Sequence, residues 1–464
     1  MDNYFSLISE IDRDLKTDES FDIIKRELII AERQAVLYFI DGFIKDEVYE
    51  KMLEFLFKIK PEELNDINDM SRFAKDKMPY VETDYSYDVK EIETAILSGP
   101  SVLIIDGIYG ALMVDTRTYP MRSIDEPRKD KSLRGSRDGF VETLVMNTAM
   151  IRRRIRDSRL RMEYMQIGTD TKLDIAISYI DGLADKKTLD ILRKRLKEIK
   201  VGGISMTQQA LSEKLQKSAF FNPFPKFKFT ERPDYTSACI LDGRIALVMD
   251  NSLTVMLIPM SLSDYFRETD DYYFLPISGS YIRTLRIIVS FATVLLTPVY
   301  LLLLKYPEII PDWLLFIVPE ALGAIPLVVQ FLLLELLVDG LRLASVNTPD
   351  TLSNSLGIIG GLLISEFAVN VGWFIPECIL FTAFITVSGF SLPSFEMGYA
   401  MKFERILLLL LVQFFGFWGF LGGIVFLIFA MLNIKTLSGR CYLYPIIPFK
   451  PKAFAELFLR FPMK

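Results

Sequence analysis

The stretch "IIVSFATVLLTPVYLLLL", residues 287–304, separates two parts of the chain that differ sharply in composition. Its eighteen residues carry no charge, and at about 1.5 Å per residue a helix of this length nearly matches the hydrocarbon core of a bilayer. Residues 1–286 are rich in Lys, Arg, Asp and Glu, whereas charges are sparse from Ile287 onward, and 51% of the 464 residues are apolar. The sequence therefore predicts a charged N-terminal part followed by a membrane domain.

Four further apolar runs follow, at 321–338, 356–373, 378–395 and 406–434. Basic residues in short flanking segments mark the cytoplasmic side of a membrane, and here they are Arg283, Arg286, Arg342, Lys402 and Arg405. The glycines of "GFWGFLGG", residues 416–423, could break the last run into a hairpin, which would keep the C-terminus cytoplasmic. We expect an all-α membrane domain of four to six transmembrane or re-entrant helices.

Polar side chains inside these runs are expensive to place in lipid and therefore indicate function or helix packing. An intramembrane charged network is predicted on one face of the second run, at Glu335, Asp339 and Arg342. One interpretation is that Asp339 pairs with Arg342 while the other polar groups hold helices together. The other is that copies of the third run surround a pore. Its pore-lining candidates are two oxygen donors, Glu366 and Asn370, and an apolar constriction, Leu363, Ile359 and Leu356.

The N-terminal part shows mixed α/β signals. Helical periodicity covers residues 21–32 and 47–58, and two stretches, 101–121 and 237–257, each predict a pair of strands joined at Asp-Gly. Their likeness indicates two related subdomains. The predicted fold class is an α/β cytoplasmic region of two subdomains followed by the membrane domain. The predicted boundaries are a tail at 1–19, subdomains at 20–140 and 141–281, transmembrane helices at 282–440 and a tail at 441–464.

Positive charge is concentrated in "RGSRDGFVETLVMNTAMIRRRIRDSRLR", residues 134–161. Residues 140–156 predict an amphipathic helix with Asp138 as its N-cap. Arg152 falls on the apolar face, so we expect it to pair with Glu142 or Glu163, and we expect Arg154 to be solvated. Ion pairing within the protein is favoured over a phosphate site, which assigns a structural role to Arg134, Arg137, Arg152, Arg153, Arg154 and Arg156.

Several classes of function are excluded by composition. The chain contains no histidine, no P-loop and no GxGxxG pattern, and its three cysteines lack a metal-binding spacing. With no nucleophile–base pair visible, we expect no enzyme activity, no cofactor and no metal. A formal net charge of -6 and the lack of a recognition motif argue against nucleic acid as a partner. The first residues carry no signal-peptide pattern, so we expect the N-terminal part to be cytoplasmic.

Several motifs occur in the order found in A subunits of GerA-type spore germinant receptors. They are "RGSRDGFVETLVMNTAMIRRRIRDSRLRMEYMQIG", "ISYIDGLAD", "PFPKFKFTERPDY", "DDYYF" and "RTLR". Residues 80–450 resemble this family. The stretches "YFIDGFIKDEVYEKMLEFL", "VQFLLLELLVDGLRLASVNTP", "VGWFIPECIL" and "YPIIPFKP" are more similar to its stage V sporulation protein AF branch. Ser136 and Asp138 depart from the receptor pattern "RGPREGF", which favours that branch and argues against direct nutrient sensing.

The resemblance implies an integral protein of the spore inner membrane with its N-terminal domain on the spore-core side. It further implies a homo-oligomer, a pentameric ring, that conducts cations and amplifies ion release during germination. The implied partners are membrane lipid, a small membrane partner protein and germinant receptor subunits. Two alternatives stay open: a non-conducting structural or signalling subunit of a receptor cluster, and a secondary transporter.

Overall fold

The computed structural model describes residues 2–44, 46–80, 82–116, 135–169, 171–199, 207–216, 222–268, 270–320, 323–347, 368–391, 394–434, 436–437 and 439–461. The chain forms two units. The first unit comprises Met1–Ser218 and Phe227–Met260, and the second comprises Ala219–Lys226 and Ser261–Lys464.

The first unit contains the same series of elements twice. The first series is α1 Asp2–Leu15, β1 Ile23–Ile30, β2 Arg33–Ile40, α2 Asp46–Phe57, α3 Met70–Lys77, β3 Thr83–Ser86, α4 Val89–Ser98, β4 Ser101–Ile105 and β5 Ala111–Val114. The second is α5 Leu144–Arg154, β6 Leu160–Ile167, β7 Leu173–Ile180, α6 Lys186–Lys197, α7 Thr207–Leu215, β8 Lys228–Thr230, α8 Pro233–Leu241, β9 Ile245–Met249 and β10 Val255–Ile258. Each half therefore reads helix, two strands, two helices, strand, helix, two strands.

The two sheets also share their strand order. The first is β1-β2-β4-β5-β3 and the second is β6-β7-β9-β10-β8, with every neighbouring pair antiparallel. In the first sheet, alternate residues of β2 and β4 face opposite sides. Leu37 and Leu103 pack in the core formed with α2 and α3, whereas Val36 and Val102 pack in the core formed with α1 and α4. An α/β unit of two related halves is thus present, although the exact subdomain boundaries stay a prediction.

Two sequence predictions for this unit are wrong. Residues 21–32 were expected to be helical but contain edge strand β1, whose turn into β2 uses Ala31 and Glu32 with positive φ of 49° and 63°. Left-handed turns usually contain glycine or asparagine, so this turn carried no sequence signal. Asp242-Gly243 was expected to join two strands, but it ends α8, and the second hairpin turns at Asp250 and Asn251 between β9 and β10. The helix predicted at 47–58 is confirmed as α2.

The second unit is helical. Its helices are α9 Asp270–Tyr273, α10 Pro276–Lys305, α11 Leu327–Asn347, α12 Ala368–Asn370, α13 Pro376–Phe390, α14 Phe395–Leu432 and α15 Pro451–Phe458. Among the described residues, α10 and α14 are long and apolar enough to cross a membrane, and α13 is a shorter apolar helix. The predicted runs 287–304, 378–395 and 406–434 fall largely within these three helices. Run 321–338 overlaps α11, which ends nine residues later, and most of run 356–373 lies outside the described residues. The predicted number of spans stays a prediction.

The long helix α14 folds back on itself at Gly416. Gly416 has φ 57° and ψ −133°, a conformation that is not helical and that favours glycine. Gly423 lies so close to the side chain of Leu408 that a Cβ on this glycine would be 2.5 Å from Leu408 Cδ2. Fifteen residues of straight helix would separate these positions by roughly 22 Å. The first limb, residues 395–415, therefore packs antiparallel to the second limb, residues 417–432, as the glycine-rich sequence predicted.

Lys305, the last residue of α10, stabilises this reversal. Its Nζ donates to the carbonyl oxygens of Val412 at 3.2 Å and of Gln413 at 2.6 Å. The non-helical conformation of Gly416 ends the first limb here, and the last carbonyls of a helix lack intrahelical partners. A buried carbonyl without a partner is unfavourable, particularly in lipid. Lys305 thus caps the end of the first limb.

We predict that Gly419→Ala disrupts the hairpin. A Cβ at Gly419 would overlap the backbone carbonyl oxygen of Leu411 on the opposing limb, and a backbone atom cannot move aside as a flexible side chain can. The matched control is Gly422→Ala, because a Cβ there meets nothing within 4 Å. Thermal unfolding of the detergent-solubilised full chain should show a loss of at least about 2 kcal/mol for Gly419→Ala. Equal stability of the two variants would contradict the packing described.

Candidate functional site

Two arginines of the arginine-rich stretch are buried, Arg161 on β6 and, completely, Arg152 on α5. This side chain is fully buried and bonds Asp22 in bidentate geometry, with Nε–Oδ2 at 2.8 Å and Nη2–Oδ1 at 3.1 Å. Its Nη1 donates to the carbonyl oxygen of Leu160 at 3.3 Å. The structural interpretation of Arg152 agrees with this geometry, but its predicted partners were wrong. Asp22, which precedes β1, neutralises it and so links the two halves of the first unit.

Glu163, one of the predicted partners, belongs to a different cluster. It accepts hydrogen bonds from Arg193 Nε at 2.9 Å and from the Tyr179 hydroxyl at 2.5 Å. Burial alone would raise the pKa of the Glu163 carboxyl, but the hydrogen bonds from Arg193 and Tyr179 outweigh burial and lower the pKa. Burial of its ring, together with the bond to Glu163, raises the pKa of Tyr179. Glu163 is therefore ionised at neutral pH, and its carboxylate oxygens accept hydrogen bonds from Arg193 and Tyr179 rather than from Arg152.

The other arginines that were assigned a structural role lie at the C-terminal end of α5 or outside that helix. Arg154 bonds Asp138, with Nη2–Oδ1 at 2.6 Å, and donates to Ser136 Oγ at 2.8 Å. Arg154 is therefore paired, not simply solvated as predicted. Arg137, Arg153 and Arg156 are exposed, and Arg134 lies outside the described residues.

Asp138 does not cap the helix either. α5 begins after Thr143, and the backbone N–H of Leu144 donates to Asp250 Oδ1 at 3.0 Å instead. Ser136 and Asp138, the two positions that depart from the receptor pattern, are thus held together by Arg154. The role of all these arginines stays structural in our interpretation.

The candidate site of the second unit is a cluster of charges joining α10, α11 and α14. Arg405 bonds the carboxylate of Glu335, and its Nη1 donates to the carbonyl oxygen of Thr293 at 2.7 Å. Lys402 Nζ lies 3.1 Å from Glu335 Oε2 and 2.5 Å from Asp339 Oδ2. Two acids on α11 thus meet two bases on α14, and the four formal charges cancel. The side chains of Glu335 and Arg405 are almost completely buried, so their pairing offsets a large desolvation penalty.

Arg342 is not part of this ion-pair cluster. The predicted pairing of Asp339 with Arg342 was wrong, because Asp339 faces Lys402. The guanidinium carbon of Arg342 lies 5.2 Å from the ring centroid of Phe390 and 5.9 Å from those of Phe395 and Tyr399. Such aromatic contacts stabilise a cation that has little access to water. The sequence did contain a signal for the true partners. Lys402 and Arg405 are three residues apart, and Glu335 and Asp339 are four residues apart, so each pair lies on one face of its helix.

Only one of the five predicted pore-lining residues lies in the part of the chain that the structure describes. Glu366, Leu363, Ile359 and Leu356 lie outside the described residues, and only Asn370 is described. Asn370 ends the short helix α12 and is exposed, as are Val371 and Trp373 after it.

A second buried charge cluster, which sequence reasoning missed, lies at the start of α10. Asp271, completely buried, accepts from Arg283 Nε at 3.0 Å and from Arg286 Nη1 at 3.1 Å. Arg286 Nη1 also donates to the carbonyl oxygen of Phe266 at 2.9 Å. The flanking arginines that were expected to mark the cytoplasmic side therefore pair with an internal carboxylate. Among the described residues, no group of three or more Asp, Glu or Cys side chains is arranged to hold a metal ion.

Residues 10–464 match the family model described as "Bacillus/Clostridium GerA spore germination protein". This match covers nearly the whole chain, and the chain belongs to that family of spore germination proteins. Stage V sporulation protein AF of Bacillus subtilis (strain 168) is 34% identical over 446 residues, which cover 95% of this chain and 89% of that protein. Spore germination protein KA of the same strain is 29% identical, over 96% of this chain and 82% of that protein.

A solved structure is also similar to part of this chain. It is the crystal structure of the N-terminal domain of the A subunit of the Bacillus megaterium spore germinant receptor GerK3. It is 27% identical, covers 54% of this chain and 92% of that chain, and gives a TM-score of 0.41.

Proposed function

We propose that this chain is the subunit of an oligomeric cation channel that acts in endospore germination. Family membership supports the role in germination, and the two long apolar helices support a place in a membrane. We propose that this membrane is the spore inner membrane, with the N-terminal unit on the spore-core side. A ring of five copies, a small membrane partner and germinant receptor subunits are the assembly we propose.

The charge cluster of the second unit limits which acidic residues can line the proposed conduction path. Glu335 and Asp339 are neutralised by Lys402 and Arg405 of the same chain, so these acids hold helices together and are poor ligands for a passing ion. The proposed path therefore runs along residues 356–373, where Glu366 and Asn370 supply oxygen ligands and Leu363, Ile359 and Leu356 form the constriction.

The observation that carries this proposal is the exposure of Asn370 beside exposed Val371 and Trp373. A polar amide next to large apolar side chains suits a surface that is covered by other copies around an aqueous axis. Small residues in the same run, Gly357, Gly361 and Ser365, would allow the close helix approach that such a ring needs.

The test is the cation conductance of purified full chain in planar bilayers, alone and with co-purified partners. We predict that Glu366→Gln lowers conductance several-fold, because a carboxylate ring concentrates cations, and that Leu363→Ala increases leak through the closed state. Glu308→Gln, an exposed carboxylate between α10 and α11, is the control and should behave as the wild type.

Three outcomes would contradict the proposal. Unchanged conductance in both variants would remove the third run from the path. Exchange of labelled substrate by counter-flow would indicate a secondary transporter. Absence of any flux, with or without partners, would leave a structural or signalling subunit of a receptor cluster.

A further inference from the structure

The C-terminal tail is fastened to the first turns of α10. Arg283 Nη1 donates to the carbonyl oxygen of Glu456 at 2.8 Å, and the backbone N–H of Arg460 donates to Ser280 Oγ at 2.8 Å. The guanidinium of Arg460 also bonds the carbonyl oxygen of Phe274. These bonds join α15 and the residues after it to the segment 274–283. The position of the tail is therefore set by the position of α10.

The depth of this attachment follows from the geometry of α10. Thr284 Oγ1 also donates to the carbonyl oxygen of Phe458 at 3.4 Å. The uncharged run begins at Ile287, and Ser280 and Thr284 precede it by seven and three residues. At about 1.5 Å per residue, the attachment lies roughly 5–10 Å outside the hydrocarbon core. This is the level of the lipid headgroups, where amphipathic helices and aromatic side chains collect.

Large apolar side chains are exposed on both sides of the attachment. The exposed fraction is 80% for Ile277 and 73% for Leu275 at the start of α10, and 62% for Phe449 and 53% for Phe461 in the tail. Arg460 bonds Ser280 and the carbonyl oxygen of Phe274, and Phe461 is the next residue in the chain. Several exposed apolar side chains on the two segments joined by one attachment indicate an interaction surface.

The charge of the tail identifies the kind of partner. Residues 441–461 contain three basic side chains and one acid, Glu456. Lys450 and Lys452, at the beginning of α15, are exposed. Exposed lysines beside exposed aromatics are complementary to an anionic lipid surface. The same lysines would repel the identical surface of a second copy, so self-association through this surface is disfavoured.

We propose that the tail, residues 441–461, is an interfacial anchor that binds the headgroups of anionic lipid in the leaflet where α10 begins. Phe449, Phe461, Leu275 and Ile277 enter the interface, and Lys450 and Lys452 contact lipid phosphates. This inference rests on the proposed location of the second unit in a membrane, but not on whether the protein conducts ions.

The test uses single tryptophans in the full chain, reconstituted in vesicles that contain brominated phosphatidylglycerol or brominated phosphatidylcholine. The native tryptophans, Trp313, Trp373 and Trp418, are all exposed and can be changed to phenylalanine. In that background, Phe461→Trp is the tail reporter. Phe57→Trp on α2, where the native side chain has a nearly equal exposed fraction of 52%, is the control reporter. A protein that retains only Trp418 is the insertion reporter.

We expect brominated phosphatidylglycerol to quench the tail reporter and the insertion reporter but not the control reporter. Lys450→Glu with Lys452→Glu should reduce the quenching of the tail reporter by about half or more, because the change replaces attraction to an anionic surface with repulsion. Reversal of two exposed lysines of the first unit, Lys51→Glu with Lys187→Glu, should leave that quenching unchanged.

The outcomes separate this inference from the proposed membrane location. If the insertion reporter is not quenched, the second unit is not inserted and both proposals fail. If it is quenched but the tail reporter is not, and aqueous acrylamide quenches the tail and control reporters alike, the anchor is overturned. Protection of the tail reporter from both lipid and acrylamide would show that a second copy covers the surface, which also overturns the anchor. Equal quenching by both lipids would overturn the preference for anionic headgroups.

Discussion

Arg152→Ala is expected to lower the free energy of unfolding of the first unit by about 3–5 kcal/mol. The guanidinium of Arg152 and the carboxylate of Asp22 are fully desolvated and bond each other in bidentate geometry. Removal of the arginine leaves a carboxylate buried in an apolar environment without a counter-charge. The measurement is hydrogen exchange on the full chain, read on peptides that cover β1 and β6.

The control and the rescue distinguish the buried ion pair from positive charge in general. Arg156→Ala removes an exposed arginine of the same motif and should change stability by less than about 0.5 kcal/mol. The double variant Asp22→Asn with Arg152→Met should recover much of the loss, since it contains no unpaired buried charge. If Arg152→Ala were as stable as Arg156→Ala, the pair would not hold the two halves together.

Arg405→Ala is expected to destabilise the second unit strongly, with a loss of about 3–5 kcal/mol. Arg405 on α14 neutralises Glu335 on α11 and also bonds the carbonyl oxygen of Thr293 on α10. One truncation therefore breaks contacts among three helices. Thermal unfolding of the protein in lipid nanodiscs is the measurement.

The comparison variant for this cluster is Asp339→Asn. The Asp339 side chain is 31% exposed, whereas that of Arg405 is 4% exposed. The change should therefore lower stability by no more than about 1 kcal/mol. Glu335→Gln with Arg405→Gln should be more stable than Arg405→Ala, because no unpaired ion stays buried. Equal melting temperatures for Asp339→Asn and Arg405→Ala would contradict the assigned importance of the Glu335–Arg405 pair.

Local patterns in the sequence predicted much of the fold, whereas long-range partners were beyond them. The uncharged run 287–304 predicted α10, and the glycines at 416–423 predicted the reversal of α14. The burial of Arg152 followed from its place on the apolar face of α5, but its partner Asp22 is 130 residues away. Helical periodicity states which side chain is buried, not which distant side chain meets it.

The charge cluster shows the same limit. Lys402 and Arg405 were interpreted as basic residues of a short cytoplasmic flank, so their pairing with Glu335 and Asp339 was not predicted. The internal repeat was detected but aligned incorrectly. Ile40-Asp41-Gly42 after β2 corresponds to Ile180-Asp181-Gly182 after β7, and a match by element order would have found it.

The attachment of the tail to segment 274–283 has a consequence for the path of the chain. The C-terminal tail returns to the first turns of α10, so the second unit ends beside the start of its first long helix. If its helices cross the bilayer as proposed, the crossings between Ser280 and Glu456 must be even in number, and the fold-back at Gly416 helps to satisfy that parity. Both ends of the second unit then face the same compartment. A signal received in that compartment can therefore act on α10 both through the residues that precede this helix and through the C-terminal tail.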